Sequence, residues 1–161
     1  MITTVFEEII DEKCLGCALA TGNYFKEGMI YKSSLFSVMI DAELAWPAML
    51  VIAPTRHVSF YVDFTDEEKK EWELLTNKCR QAVKELWNQQ DVFFCWYEKP
   101  GKHIHMVVTP IWSGFEREQS AYGIVAELIE KNGTLKNNTE NMMKVKTYAK
   151  MLKDWFSKNI K

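Results

Sequence analysis

Between residues 29 and 54 the chain reads as short apolar runs broken by small polar groups. "MIY" and "LFSVMIDA" are rich in β-branched and aromatic residues and are separated by Lys32, Ser33 and Ser34, which predicts two antiparallel strands. "AMLVIAP" predicts a third, buried strand stopped by Pro54. After "TRHVSFYVDF" the period changes. In "TDEEKKEWELLTNKCRQAVKELWNQQ", Trp72, Leu75, Cys79, Val83 and Leu86 recur at three- and four-residue intervals, the spacing of an amphipathic helix. Thr65 is its expected N-cap, and acidic residues fill its first turn, where they complement the helix dipole. "DVFFCWYE" and "HIHMVVTPIW" predict two more strands, joined as a hairpin through the four-residue turn "KPGK".

From about residue 116 the pattern returns to helix. "AYGIVAELIEKNG" is expected to stop at Asn132-Gly133, and a last helix carries Val145, Tyr148, Met151, Leu152, Trp155 and Phe156 on one face. Residues 1 to 22 show no sustained period and are expected to be an irregular lead-in. Strands, one long helix, a hairpin and terminal helices add up to an α+β layout with a mainly antiparallel sheet. The 161 residues, without repeat, linker or low-complexity tract, fit a single domain over 1–161.

Composition narrows the function classes. A net charge of -2 with both signs interspersed gives no global basic field to hold nucleic acid, so an anionic ligand must be gripped locally. No apolar run reaches the length of a membrane span, and the N-terminus lacks a basic region followed by an apolar one; a cytoplasmic protein is expected. Four cysteines in a chain of this length do not suggest a secreted disulfide framework. Cys14 and Cys17 form a CxxC pair open to three readings: two ligands of a zinc site, a redox thiol pair, or plain buried cysteines. The redox reading lacks the βαβ pattern that usually surrounds such a pair. Cys79 and Cys95 are expected in the core.

Two of the three histidines, His103 and His105, stand one residue apart in "HIHMVV". On a strand they share a face with Val107, while Ile104, Met106 and Val108 face the core. Upstream, Lys99, Gly101 and Lys102 form either a local anion cradle or a solvated hairpin turn.

The order "LVIAPTRHV", then "DFTDEEKKEWELL", then a strand with H-x-H resembles the histidine triad (HIT) family, over roughly residues 12–112; residues 113–161 are a C-terminal helical extension to that resemblance. The resemblance implies a HIT-like fold and attack by the middle histidine, His105, on the α-phosphate of a nucleotide conjugate through a phosphohistidine. A dinucleoside polyphosphate or a nucleoside phosphoramidate is the implied substrate, with hydrolysis or nucleotidyl transfer as the outcome. It also implies a homodimer, a ribose contact from Asp41, which is otherwise a strand-end turn residue, and base contacts from Phe36 and Ile40, which are otherwise core. In family members with a CxxC, zinc is held by that pair, the histidine of the "krH" segment and the first of H-x-H; here these are Cys14, Cys17, His57 and His103.

The sequence departs from the family at Val107, where a third histidine is expected, and in the run before the pair, which lacks the usual Asn, Gln and Ser or Thr. Valine neither donates to a phosphate oxygen nor relays a proton. The alternative reading is therefore a nucleotide-binding or interaction module that keeps the zinc-stapled fold without turnover.

Overall fold

A computed structural model of the chain describes residues 1–113 and 120–160. The elements, in chain order, are β1 (Ile2–Thr3), β2 (Ile9–Ile10), α1 (Leu15–Ala20), β3 (Met29–Lys32), β4 (Phe36–Ile40), β5 (Leu50–Pro54), a 3-10 turn (Tyr61–Asp63), α2 (Asp66–Trp87), β6 (Val92–Trp96), β7 (Met106–Pro110), α3 (Ala121–Asn137) and α4 (Thr139–Asn159). β3 to β7 form one antiparallel sheet of five strands in the order β3-β4-β5-β7-β6. The predicted α+β layout is the observed one.

α2 begins as its sequence predicts. The Thr65 hydroxyl accepts the N–H of Glu68, and the Glu68 carboxylate accepts the N–H of Thr65, closing a capping box. Trp72, Leu75, Cys79, Ala82 and Val83 are buried. Trp72 meets Phe36 of β4 at 6.0 Å between ring centres, and Thr76 lies 3.5 Å from the sulfur of Met106 on β7, so α2 covers the sheet face that carries these even-numbered residues. The odd-numbered positions face the other way. Cross-strand partners share a face, so the register Met39–Val51–Val107–Cys95 runs straight across that opposite face.

Three expectations are corrected. The lead-in is not wholly irregular: β1 and β2 pair antiparallel, closed by a turn in which the Thr4 hydroxyl accepts the N–H groups of Phe6 and Glu8. Two-residue strands are too short to leave a period. The hairpin loop is longer than four residues, running from Tyr97 to His105, because the backbone N–H of Ile104 donates to the carbonyl of Val58 at 2.7 Å instead of extending the ladder. Both histidines therefore lie on the approach to β7, although Ile104, Met106 and Val108 are core as expected. Finally, α3 does not stop at Asn132-Gly133. It runs on to Asn137, since Asn132 is engaged by tertiary bonds and Leu135 packs on the core, which overrides local propensity. The predicted start of helix near residue 116 lies outside the described residues. No helix among the described residues is long and apolar enough to cross a membrane.

Candidate functional site

α1 is the first piece of the site. Cys14 is its N-cap, and the thiol accepts the N–H of Cys17, so both sulfurs lie at the same helix end. Gly16, between the two cysteines, lies inside α1 and permits close approach. A Cβ there would fall 2.6 Å from Cγ of His103 and 2.7 Å from its Cβ, so only glycine lets α1 lie against that ring.

His57 arrives from the loop after β5. Its neighbour Arg56 is held by a two-pronged ion pair, Nε to Glu68 Oε1 at 2.6 Å and Nη2 to Glu68 Oε2 at 2.7 Å, with a further bond to the Asp63 carbonyl. The helix cap and the histidine loop are thus tied by one carboxylate. Arg56 holds that carboxyl below the usual range, with the Thr65 N–H adding to the effect and burial opposing it.

His103 completes a cluster of two sulfurs and two nitrogens. Cys14 Sγ lies 3.4 Å from His57 Nδ1 and 3.8 Å from His103 Nδ1; Cys17 Sγ lies 3.2 Å and 3.3 Å from the same atoms. All four ligand atoms fall within 4.8 Å of one another. With metal–sulfur bonds of about 2.3 Å and metal–nitrogen bonds of about 2.0–2.1 Å, a tetrahedron has sulfur–nitrogen edges of roughly 3.5 Å. The donor set and its spacing fit a metal ion.

The ring of His103 is oriented for that task. Its Nε2 donates to the carbonyl of Pro54 at 2.8 Å, and since a carbonyl only accepts, the proton sits on Nε2 and the lone pair on Nδ1 points into the cluster. Burial pushes the pKa of His103 down to about 4, helped by His57 and His105 and opposed by the Pro54 carbonyl. Burial, with Cys14 beside it, pushes the Cys17 thiol up to about 11. Both shifts favour the neutral forms of His103 and Cys17, and a metal acts against the second by displacing the thiol proton.

His105 behaves differently from its neighbour. It is exposed, and its Nδ1 donates to the carbonyl of His103 at 3.1 Å, so in the neutral ring the lone pair is on Nε2, which has no hydrogen-bond partner among the described residues. It lines a cavity of about 430 Å³ together with Asp41, Lys99, Gly101 and Lys102. Cys14 and His103 line the same cavity, so the structure brings the four-residue cluster together with His105, Asp41, Lys99, Gly101 and Lys102. The floor is the odd-numbered sheet face, through Met39, Val51 and Ala53. Gly101 takes φ +72 in open space, so the hairpin needs its backbone freedom and not its small size.

Asp41 caps its own loop, its Oδ1 accepting the N–H groups of Glu43 and Leu44 at 2.8 Å each. Burial raises its pKa above the usual carboxylate range, against the opposing pull of those two N–H groups and of His105 and Lys136. The loop it starts is clamped from the C-terminal extension: Asn132 of α3 donates to the Glu43 carbonyl at 2.9 Å and accepts the N–H of Ala45 at 3.0 Å, and Asn141 of α4 donates to the Ala45 carbonyl at 2.7 Å.

Phe36 and Ile40, expected as base contacts, do not reach the cavity. They are 0% and 2% exposed, on the face toward α2, and Met39 and Val51 take the cavity side by strand parity. Sequence reasoning also missed Lys13 and Tyr97, which line the cavity, and the supporting roles of Gly16, Arg56, Glu68 and Asn132. Strand parity exposes the first error; the tertiary partners left no local signal.

No protein-family model matches the sequence, and no curated protein resembles it significantly. Solved structures do match. A zinc-bound histidine triad family protein from Mycobacterium smegmatis superposes with a TM-score of 0.62 at 14% identity, covering 91% of this chain and 94% of that one. The fold is that of the histidine triad proteins. A Plasmodium falciparum diadenosine triphosphate hydrolase gives a TM-score of 0.58 at 13% identity, over 85% of this chain and 81% of its own. A uridylyltransferase gives 0.62 at 16% identity over 92% of this chain, which spans 46% of that longer one. Each of these three structures covers 85–92% of this chain, a larger share than residues 12–112 make up.

Proposed function

We propose that the chain belongs to the HIT family and is a nucleotide hydrolase or nucleotidyltransferase acting at an α-phosphate through a phosphohistidine on His105. The observation that carries this reading is the free Nε2 of an exposed His105, held in one tautomer by the His103 carbonyl and opening on a cavity shared with Asp41 and two lysines. In the proposed roles, Nε2 of His105 attacks phosphorus, Asp41 meets the ribose, and Lys99, Lys102 and the backbone at Gly101 hold the phosphate oxygens. Cys14, Cys17, His57 and His103 hold zinc, which supplies a structural cross-link and not the chemistry. The neighbours named as a diadenosine triphosphate hydrolase and a uridylyltransferase support nucleotide processing, and the zinc-bound neighbour supports the metal.

A cytoplasmic homodimer belongs to the same reading. Strand β6 ends the sheet on one side and carries the half-exposed Trp96, a free edge on which a second copy can extend the ladder. Val107 favours a second reading, the binding module without turnover.

The decisive experiment incubates wild type and His105→Ala with nucleotide conjugates labelled at the α-phosphate. Turnover and an acid-labile label on wild type alone are expected. Equal turnover in both proteins removes His105 as nucleophile, and binding without turnover or label in wild type selects the module.

A further inference from the structure

We propose that Cys14 and Cys17 are a reversible oxidation site, at which a peroxide joins the two sulfurs as a disulfide and the cluster gives up its metal. The inference rests on the metal reading of the four residues and adds a regulation to it. As ligands both sulfurs are thiolates, the form that attacks a peroxide. The Cys14 sulfur attacks one peroxide oxygen, the O–O bond breaks with its electron pair leaving on hydroxide, and Cys14 becomes a sulfenic acid. The Cys17 sulfur then attacks the Cys14 sulfur and expels the second hydroxide. Both hydroxides take protons from solvent. The two sulfurs have together lost two electrons, and the peroxide has gained them.

Position sets this order and this pairing. Both cysteines are partly exposed, and Cys14 also lines the cavity, where a small oxidant reaches it from solvent; Cys17 does not line it. Cys14 is the N-cap of α1 and its carbonyl accepts the N–H of Ala18 at 3.0 Å, so the pair spans one helical turn. Residues three apart on a helix have Cα atoms about 5 Å apart, inside the roughly 4.4–6.8 Å that a disulfide bridges. The other two cysteines are placed differently: Cys79 is 0% exposed on α2, and Cys95 pairs with Val107 in the sheet, outside the cavity lining. The bond gained is local and the bonds lost are not. The cluster ties α1 to histidines 40 to 89 positions along the chain, whereas the disulfide closes only the first turn of α1 itself. Ala18, Leu19 and Ala20 stay buried in the core, so the fold stands. The start of α1, which carries Cys14, Leu15 and Gly16 into the cavity wall, loses its tether to His57 and His103. Oxidation thereby loosens one wall of the cavity that His105 lines.

The test treats zinc-loaded wild type with hydrogen peroxide beside a chromogenic chelator, then unfolds and alkylates the chain and maps its thiols by peptide mass. The metal is expected to be lost in step with both thiols as a Cys14–Cys17 disulfide, at peroxide levels that leave Cys79 and Cys95 open to alkylation. A phosphine reductant with fresh zinc is expected to restore the metal, and Cys95→Ser to lose it at the wild-type rate. Metal retained under peroxide, or released without the disulfide, overturns the inference and leaves the four-ligand site standing. Wild type that takes up no zinc overturns the four-ligand reading and the inference with it. Amide hydrogen exchange over residues 14–20 is expected to quicken after oxidation, and unchanged exchange there overturns the loosened wall. The wild-type readings need no variant to fold.

Discussion

Glu68 has two tasks that a pair of substitutions separates. Its side chain is 3% exposed, whereas that of Arg56 is 49% exposed. Glu68→Ala removes both prongs of the Arg56 pair and the bond from the Thr65 N–H. A hydrogen bond to a charged group contributes about 1.5–3 kcal/mol, but half-exposed Arg56 regains water, so the two prongs together are worth about 2 kcal/mol. The lost capping bond adds about 1 kcal/mol. Glu68→Ala should therefore destabilise by about 3 kcal/mol in total. Glu68→Gln keeps a carbonyl to close the capping box and loses the charge, and should cost about half as much. Denaturant unfolding reads both values, provided the slope is unchanged. The reasoning also links the pair to the metal cluster, because Arg56 immediately precedes His57: both variants should surrender bound zinc to a chromogenic chelator faster than wild type. Glu68→Ala within about 1 kcal/mol of wild type, or as costly as Glu68→Gln, refutes the two-task account. Unchanged metal release in a destabilised variant refutes the link to His57.

Gly16→Ala should weaken zinc binding by at least about tenfold in chelator competition, because the new Cβ displaces the His103 ring. Helix propensity alone favours alanine by about 1 kcal/mol, so unchanged or tighter binding would show that the close approach carries no cost. Asn132→Ala should raise the nucleotide Kd while leaving kcat nearly unchanged, since it frees the loop that starts at Asp41 without touching His105; Asn132→Asp, which keeps the acceptor for the Ala45 N–H, should recover part of the loss. Isothermal titration checks this, and an unchanged Kd in Asn132→Ala refutes the clamp.

The parts legible in the sequence are those set by period and cap chemistry. Short apolar runs marked β4 and β5, alternation marked the core face of β7, and Thr65 with its acidic followers marked the start of α2. The four residues of the metal cluster were legible only through the resemblance, since spacings of 40 to 89 residues between cysteine and histidine carry no local signal. What failed did so where tertiary bonds overrule local rules. Asn132-Gly133 has the composition of a stop, yet the Asn132 side chain is worth more bonded to the Asp41 loop than ending a helix. Phe36 and Ile40 were base contacts by the resemblance and core residues otherwise; parity puts them on the α2 side, in the core. A period-2 argument anchored on Asp41 already contains the right answer, Met39.

The same geometry explains why "LVIAPTRHV", "DFTDEE" and H-x-H occur together. Pro54 supplies the carbonyl that orients the ring of His103, and His103 supplies the carbonyl that orients the ring of His105. Glu68, from the "DFTDEE" cap, holds the arginine beside His57. Each motif therefore fixes an atom of the next: strand end to metal-cluster histidine, that histidine to the exposed one, and helix cap to the remaining ligand. One peptide unit joins the cluster to the free Nε2 of His105. On the proposed reading, losing a metal cross-link between α1 and the approach to β7 would reach His105 through a single backbone carbonyl, so a metal outside the chemistry would still set the direction of attack.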